Sequence, residues 1–173
     1  MWSNLGRMSN TARLLTLAIR DATLVGHGAF PAPADPASHM PAGATPVVLF
    51  PGRGARPLTP ELIASLPSPP ALIVPDGNWR QTSRMVKRLP LLAGAVKVSL
   101  PARTFAGAAL RRNRPGHRML TYEAVVQALA VREGEEVAGS LPDFYRRATD
   151  RMLLVRGKLR LGDVYGGIDG TRL

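Results

Sequence analysis

Apolar residues along this chain follow two rhythms, short unbroken runs and helical spacings, and the two alternate. Val47-Val48-Leu49-Phe50 is a continuous run halted by Pro51-Gly52. Ala71-Leu72-Ile73-Val74 is a second, halted by Pro75-Asp76-Gly77-Asn78, and Val96, Val98 and Leu100 mark a third ending at Pro101. Runs this short and this apolar predict strands buried on both faces. Leu14, Leu15, Ala18 and Ile19 predict a short helix that Ser9, Asn10 or Thr11 can cap, and Thr23 to Val25 is a short apolar piece after it. Thr59-Pro60-Glu61 sets a cap, a first-turn proline and an acid ahead of Ile63 and Leu66. Trp79 to Leu89 has helical character through Met85, Val86 and Leu89. Thr121 is placed to cap a helix from Tyr122 to about Val131. Ser140 and Asp143 fit the S-x-x-D form of a capping box before a last helix that Gly157 ends. Residues 27–46, rich in Pro, Ala and Gly, predict a surface loop, 102–119 an arginine-rich loop, and 158–173 a flexible tail. Strands alternating with helices predict an α/β fold, a single domain with a mainly parallel sheet and flanking helices.

Composition narrows the chemistry. The 173 residues are 45% hydrophobic, enough for a sizeable core, while seventeen glycines and sixteen prolines point to long loops. Cysteine is absent, which excludes disulfides, thiolate zinc sites, iron–sulfur clusters and a cysteine nucleophile. His27, His39 and His117 are too dispersed for a local metal motif, so no metal is expected. No apolar run reaches the ~20 residues that span a bilayer. The start, MWSNLGRMSN, has no apolar region behind a basic one, and the expected location is the cytoplasm.

Charge changes the picture most. The net charge is +11, and residues 77–122 hold ten Lys and Arg with no carboxylate, whereas 123–173 hold eight of each sign. A segment of cations alone attracts polyanions and steers them in, which makes nucleic acid the natural partner. Arg80, Arg84, Lys87 and Arg88 fall at helical spacings that make one broad basic face.

In parallel α/β sheets ligands bind where strands exit. The exits here are Phe50-Pro51-Gly52-Arg53-Gly54, Pro75-Asp76-Gly77-Asn78-Trp79 and Leu100-Pro101. The G-x-G of the first lacks a third glycine, and no segment has the G-K-[ST] of a phosphate loop, the G-x-S-x-G of a nucleophile elbow or an H-E-x-x-H. Asp76 is the last acid before the cationic segment. It could serve as a general base or fix a polar substrate, or it could simply bond backbone amides in an Asp-Gly-Asn turn. Trp79 can stack on a base or fill the core under the sheet.

Val74-Pro75-Asp76-Gly77-Asn78-Trp79-Arg80-Gln81 resembles the D-x-T-W signature of the DTW-domain family, the tRNA-uridine aminocarboxypropyltransferases. Five further segments agree in order. Ser9-Asn10-Thr11-Ala12-Arg13-Leu14 resembles the family's S-N-T-[AG]-R-L, and Val48 to Gly52 its strand and P-G turn. Val98-Ser99-Leu100-Pro101 resembles the strand before the arginine-rich loop, Leu110-Arg111-Arg112 the L-R element, and Leu120-Thr121-Tyr122-Glu123-Ala124 the L-[SC]-T-x-E-A helix start. Asn78 stands where the motif has threonine, and Tyr122 where the family often has an aliphatic residue.

The resemblance implies a SPOUT-like fold with a knotted carboxyl-terminal region, S-adenosylmethionine as cosubstrate, and transfer of its 3-amino-3-carboxypropyl group to a tRNA uridine with release of methylthioadenosine. It implies Asp76 and Trp79 as catalytic residues. For the cofactor it implies Phe50, Pro51, Gly52, Asp76, Leu100, Pro101, Leu120, Thr121, Glu123 and Ala124. For tRNA it implies Arg80, Arg84, Lys87, Arg88, Arg103, Arg111, Arg112, Arg114 and Arg118. Many members also carry an upstream cysteine cluster and a first strand with a His-Pro-x-Glu element, and this chain begins after both. That implies no zinc site, and either a short form or a start upstream of Met1. Two other readings stay open, a SPOUT-type RNA methyltransferase and a non-catalytic tRNA-binding protein.

Overall fold

The computed structural model describes residues 12–26, 35–100 and 120–168. Its centre is a four-stranded, wholly parallel sheet in the order β2-β4-β1-β3, made by β1 (Thr45–Leu49), β2 (Arg56–Pro57), β3 (Pro70–Ile73) and β4 (Val96–Ser99). β1 lies between β3 and β4, with Val47 opposite both Leu72 and Val96. Alternate residues of β1 face opposite layers. Val47 and Leu49 pack with Leu62 of α2 (Pro60–Ala64) and Ala128 of α5 (Thr121–Glu133), while Val48 packs with Val86 of α3 (Trp79–Arg88) and Leu92 of α4 (Pro90–Ala93). Both faces are therefore covered, which is why this strand reads as an unbroken apolar run. The α/β class, parallel sheet and flanking helices expected from the sequence are what the chain forms.

A second apolar cluster lies on the far side of α5. It joins Leu14 and Leu15 of α1 (Ala12–Ala18), Tyr122, Val125 and Val126 of α5, Ala138 of α6 (Glu135–Ala138), and Leu141 and Tyr145 of α7 (Ser140–Val155). Tyr122 is fully buried. Its hydroxyl donates to the Leu141 carbonyl at 2.9 Å, and its ring stacks on Tyr145 with centroids 4.4 Å apart. An aliphatic residue could fill that space but could not satisfy the carbonyl, so the tyrosine ties the starts of α5 and α7 together.

Several boundaries differ from the sequence expectation. The surface loop expected over 27–46 gives way at Asp35, whose side chain caps a 3-10 turn over Pro36–His39, and β1 has already begun at Thr45. β2, α4 and α6, each of two to four residues, carry too little pattern to be read. Thr59 does cap α2, accepting from the Leu62 amide at 3.2 Å. Thr121 does not cap α5; it is the first helical residue, and Glu123 supplies the terminal bond instead. The expected Ser140/Asp143 box is also absent. Gly139 occupies the cap position with no side-chain bond, and Asp143 pairs with Arg147 at 2.7 Å. At the other end of α7, left-handed Gly157 (φ +64°) closes the helix as expected. Gly157 and Lys158 amides donate to the Leu154 and Leu153 carbonyls, each at 2.8 Å. The cap expected at Ser9, Asn10 or Thr11 lies outside the described residues. Among the described residues no helix is long and apolar enough to cross a membrane.

Burial pushes the Tyr122 hydroxyl up from its ordinary 10 to about 12. The folded chain thus keeps a proton that the unfolded chain loses first, so this contribution is complete below pH 10 and lost as pH rises toward 12. Urea melts should show stability falling across that interval by roughly 2 kcal/mol for this one group. Tyr122→Phe should flatten the fall while costing about 1–2 kcal/mol at neutral pH, where the Leu141 carbonyl is left without its donor. Stability profiles of wild type and the Y122F variant that stay parallel through the titration of the phenol would rule the linkage out.

Candidate active site at the strand exits

The exits of β1 and β3 lie side by side because the two strands are paired in parallel. Past Leu49, the Phe50 amide still donates to the Val98 carbonyl of β4 at 3.0 Å, so Phe50 is held in line with the sheet although the strand has ended. Past Ile73, Val74 packs against both apolar clusters that flank α5. The chain then turns outward through exposed Asp76 and Gly77.

Asn78 starts α3. Its side chain accepts from the Gln81 amide at 3.0 Å, and the Gln81 side chain accepts from the Asn78 amide at 2.9 Å. This reciprocal box fixes the direction in which the helix leaves the sheet. Trp79 follows immediately. It is 60% exposed rather than in the core, and its ring stacks on Phe50 with centroids 4.9 Å apart and planes 17° apart. An exposed tryptophan held flat by a second ring offers one free aromatic face.

From the other side comes the start of α5. Thr121 Oγ1 donates to Asp76 Oδ1 at 2.7 Å, a bond between residues 45 apart in sequence. The Leu120 amide donates to Glu123 Oε2 at 2.7 Å, and Glu123 is 7% exposed. Glu123 therefore holds the helix start from which Thr121 projects, and Ala124 packs against the sheet cluster behind it. The resemblance implies Glu123 and Ala124 at the cofactor; here they lie beneath the surface that Asp76, Thr121, Phe50 and Trp79 share. Leu100, Val74 and Leu120 supply half-buried apolar flanks to that surface.

Arg80, Arg84, Lys87 and Arg88 are all exposed on α3, with no ion-pair partner among the described residues, while Val86 and Met85 turn inward. Pro51 and Gly52 are exposed at the β1 exit. Pro101 and the arginines Arg103, Arg111, Arg112, Arg114 and Arg118 lie outside the described residues. A void of about 30 Å³ between the sheet and helices α2 and α5 is no rival site. It is lined by Val47, Leu62, Leu72, Val98 and Ala128, and lies toward the strand starts at Pro70 and Val96. Its size and apolar walls leave no room for a substrate.

The DTW domain family matches residues 3–153, most of the chain. The chain belongs to the DTW-domain family. Membership is consistent with a tRNA-modifying function. No curated protein and no solved structure matches the chain significantly. Within the DTW domain the geometry explains both departures from the family pattern. The third position of the signature is the cap of α3, a place where Asn and Thr both serve because each offers a side-chain oxygen to the first-turn amides. The position after Thr121 is the buried tie to Leu141. The bond from Thr121 to Asp76 was not readable from spacing, since nothing local in either segment points to the other.

Asn78→Thr should keep the melting temperature of the DTW domain nearly unchanged, whereas Asn78→Ala should lower stability by about 1 kcal/mol. Equal losses in the two variants, measured by thermal denaturation, would show that capping is not what the position requires.

Proposed function

We propose that this protein transfers the 3-amino-3-carboxypropyl group of S-adenosylmethionine to the ring imide nitrogen of a tRNA uridine, releasing methylthioadenosine. The observation that carries the reading is Asp76 at a parallel-strand exit, oriented by Thr121 and flanked by the Phe50–Trp79 stack, inside a DTW domain. The residues at the exits suit such a cosubstrate. A sulfonium is a cation with three carbon substituents, and Val74, Leu100 and Leu120 give apolar edges while Asp76 gives the negative charge nearby. Phe50, Pro51 and Gly52 border the same exit, and Glu123 and Ala124 support it from below. A SPOUT-like threading of the carboxyl-terminal region belongs to this reading; in its support, α5 returns after residues 101–119 to pack on a sheet in which β4 is already flanked on both sides.

Asp76 accepts the proton of the imide nitrogen through the oxygen that Thr121 does not occupy. The freed pair on nitrogen forms the new bond to the carbon next to sulfur. The carbon–sulfur bond breaks with its electrons on sulfur, so the leaving thioether is neutral and the proton rests on the carboxylate. Thr121 orients Asp76 and is a positioning residue. Trp79 presents its free face to the uridine, where base stacking is worth about 1–3 kcal/mol. Which carbon is attacked depends on aim, because the same sulfonium activates all three. The cations of α3, together with the arginines of 101–119, carry the tRNA backbone.

Purified protein with S-adenosylmethionine and unmodified tRNA should release methylthioadenosine only when tRNA is present. Asp76→Asn removes charge with little change in volume and should lower the rate at least about a hundredfold while the melting temperature stays within a few degrees. Release of S-adenosylhomocysteine would make the protein a methyltransferase, and full activity in the D76N variant would take Asp76 out of the mechanism.

A further inference from the structure

Residues 154–168 lie beyond the segment matched by the DTW domain, and after α7 ends at Val155 the chain folds back along that helix rather than leaving it. Expected from sequence to begin a flexible tail, 158–168 instead make a 3-10 turn at Leu161–Asp163 and bury Val164 to 6% exposure. The Tyr165 amide donates to Asp150 Oδ2 at 3.0 Å, and Arg151 Nη2 donates to the Gly167 carbonyl at 3.0 Å. The Tyr165 ring lies under the Arg146 guanidinium, 4.0 Å from its centroid, with Arg147 at 5.6 Å. Gly166 (φ +72°) passes so close to Arg147 that a Cβ there would come within 2.7 Å of Nη1. Bonds from Tyr165 and Arg147 hold the Asp143 carboxyl below the usual carboxylate range.

This clasp settles the partners of the nearby acids. Asp143 pairs with Arg147 and Asp150 accepts from the Tyr165 amide, so neither carboxylate is paired with the cations that follow α7. Arg156, Lys158 and Arg160 are exposed and have no ion-pair partner among the described residues, and between 151 and 168 the one acid is Asp163. α7 starts beside the site, where Leu141 bonds Tyr122 next to Thr121, and at 1.5 Å per residue it carries Arg156 about 22 Å along its axis from Leu141. That is beyond the reach of one nucleotide and within the span of an RNA arm.

We propose that Arg156, Lys158 and Arg160, held by the fold-back of 161–168 onto α7, form a second phosphate-binding patch that grips a tRNA at a distance from the modified uridine. The inference rests on tRNA being the substrate, as proposed above, but its test reads binding rather than chemistry. Anisotropy titrations of a full-length tRNA transcript should show the combined variant R156E, K158E and R160E binding at least about tenfold more weakly at moderate salt. Its log–log salt slope should be smaller in magnitude by about 2, since each phosphate released from contact removes about 0.7–0.9. The same three positions changed to Gln should give an intermediate loss. All three sites are exposed, and thermal melts should match the wild type. Affinity and slope equal to wild type would overturn the patch. So would loss of binding to anionic phospholipid vesicles with tRNA binding intact, which would assign the cations to a membrane surface. Wild-type protein that binds tRNA through these cations yet forms no methylthioadenosine would overturn the proposed chemistry and leave the patch standing.

Discussion

Helix α5 gives only its last turn, Arg132 and Glu133, to water, and the rest of the molecule is arranged around that fact. Ala128 and Ala124 press on the sheet, while Tyr122, Val125 and Val126 press on α1, α6 and α7. A helix with apolar residues on every side of its first three turns must be enclosed there. Enclosing this one needs two layers, and it joins the parallel sheet to the helical cluster as a single body. Its N-terminus is fixed by the same packing, through the Tyr122 hydroxyl and the Glu123 carboxylate. Thr121 is consequently aimed by the core rather than by a loop. The side chain that orients Asp76 takes its position from some of the least exposed residues in the protein.

The chemistry proposed for the exits depends on where charge and apolar surface are placed, more than on any unusual reactivity. A carboxylate, a hydroxyl and two stacked rings are ordinary groups. What distinguishes them is that β1, β3 and α5 deliver them to one edge of the sheet from three separate stretches of sequence. In the proposed reaction, specificity for one carbon of a sulfonium over another is the kind of property that such delivery would control, because a small misplacement alters which bond lies in line with the nucleophile.

Much of this was legible in the sequence, and the failures have physical causes. β1 was readable because both its faces are buried, so each of Val47, Val48 and Leu49 had to be apolar. β2 was not, because Arg56-Pro57 is a two-residue edge whose pairing is entirely backbone. Thr121 and Ser140 have the side chains of caps but not the place of caps, since capping depends on where the backbone turns and composition does not record that. Trp79 had to be weighed between core and surface; its partner Phe50 comes from a separate stretch of chain, and only the parallel pairing of β1 with β3 brings the two together. Asp76 was visible as a candidate and its partner was not. Tyr165 was hidden more thoroughly, for the charges it organises cancel in a count along the chain.

The bond between Asp76 and Thr121 also closes a ring of chain, and its contents are unusual. Everything between the two residues carries ten cationic side chains and no anion, so the stretch of chain whose ends meet at that hydrogen bond holds nearly all of the protein's net charge. Closing any loop of this length has an entropic cost, and here mutual repulsion adds to it. A polyanion lying across the ring relieves the repulsion and makes closure easier. On the function proposed above, assembly of the site and capture of tRNA would therefore be coupled by electrostatics, each favouring the other, with no moving lid required.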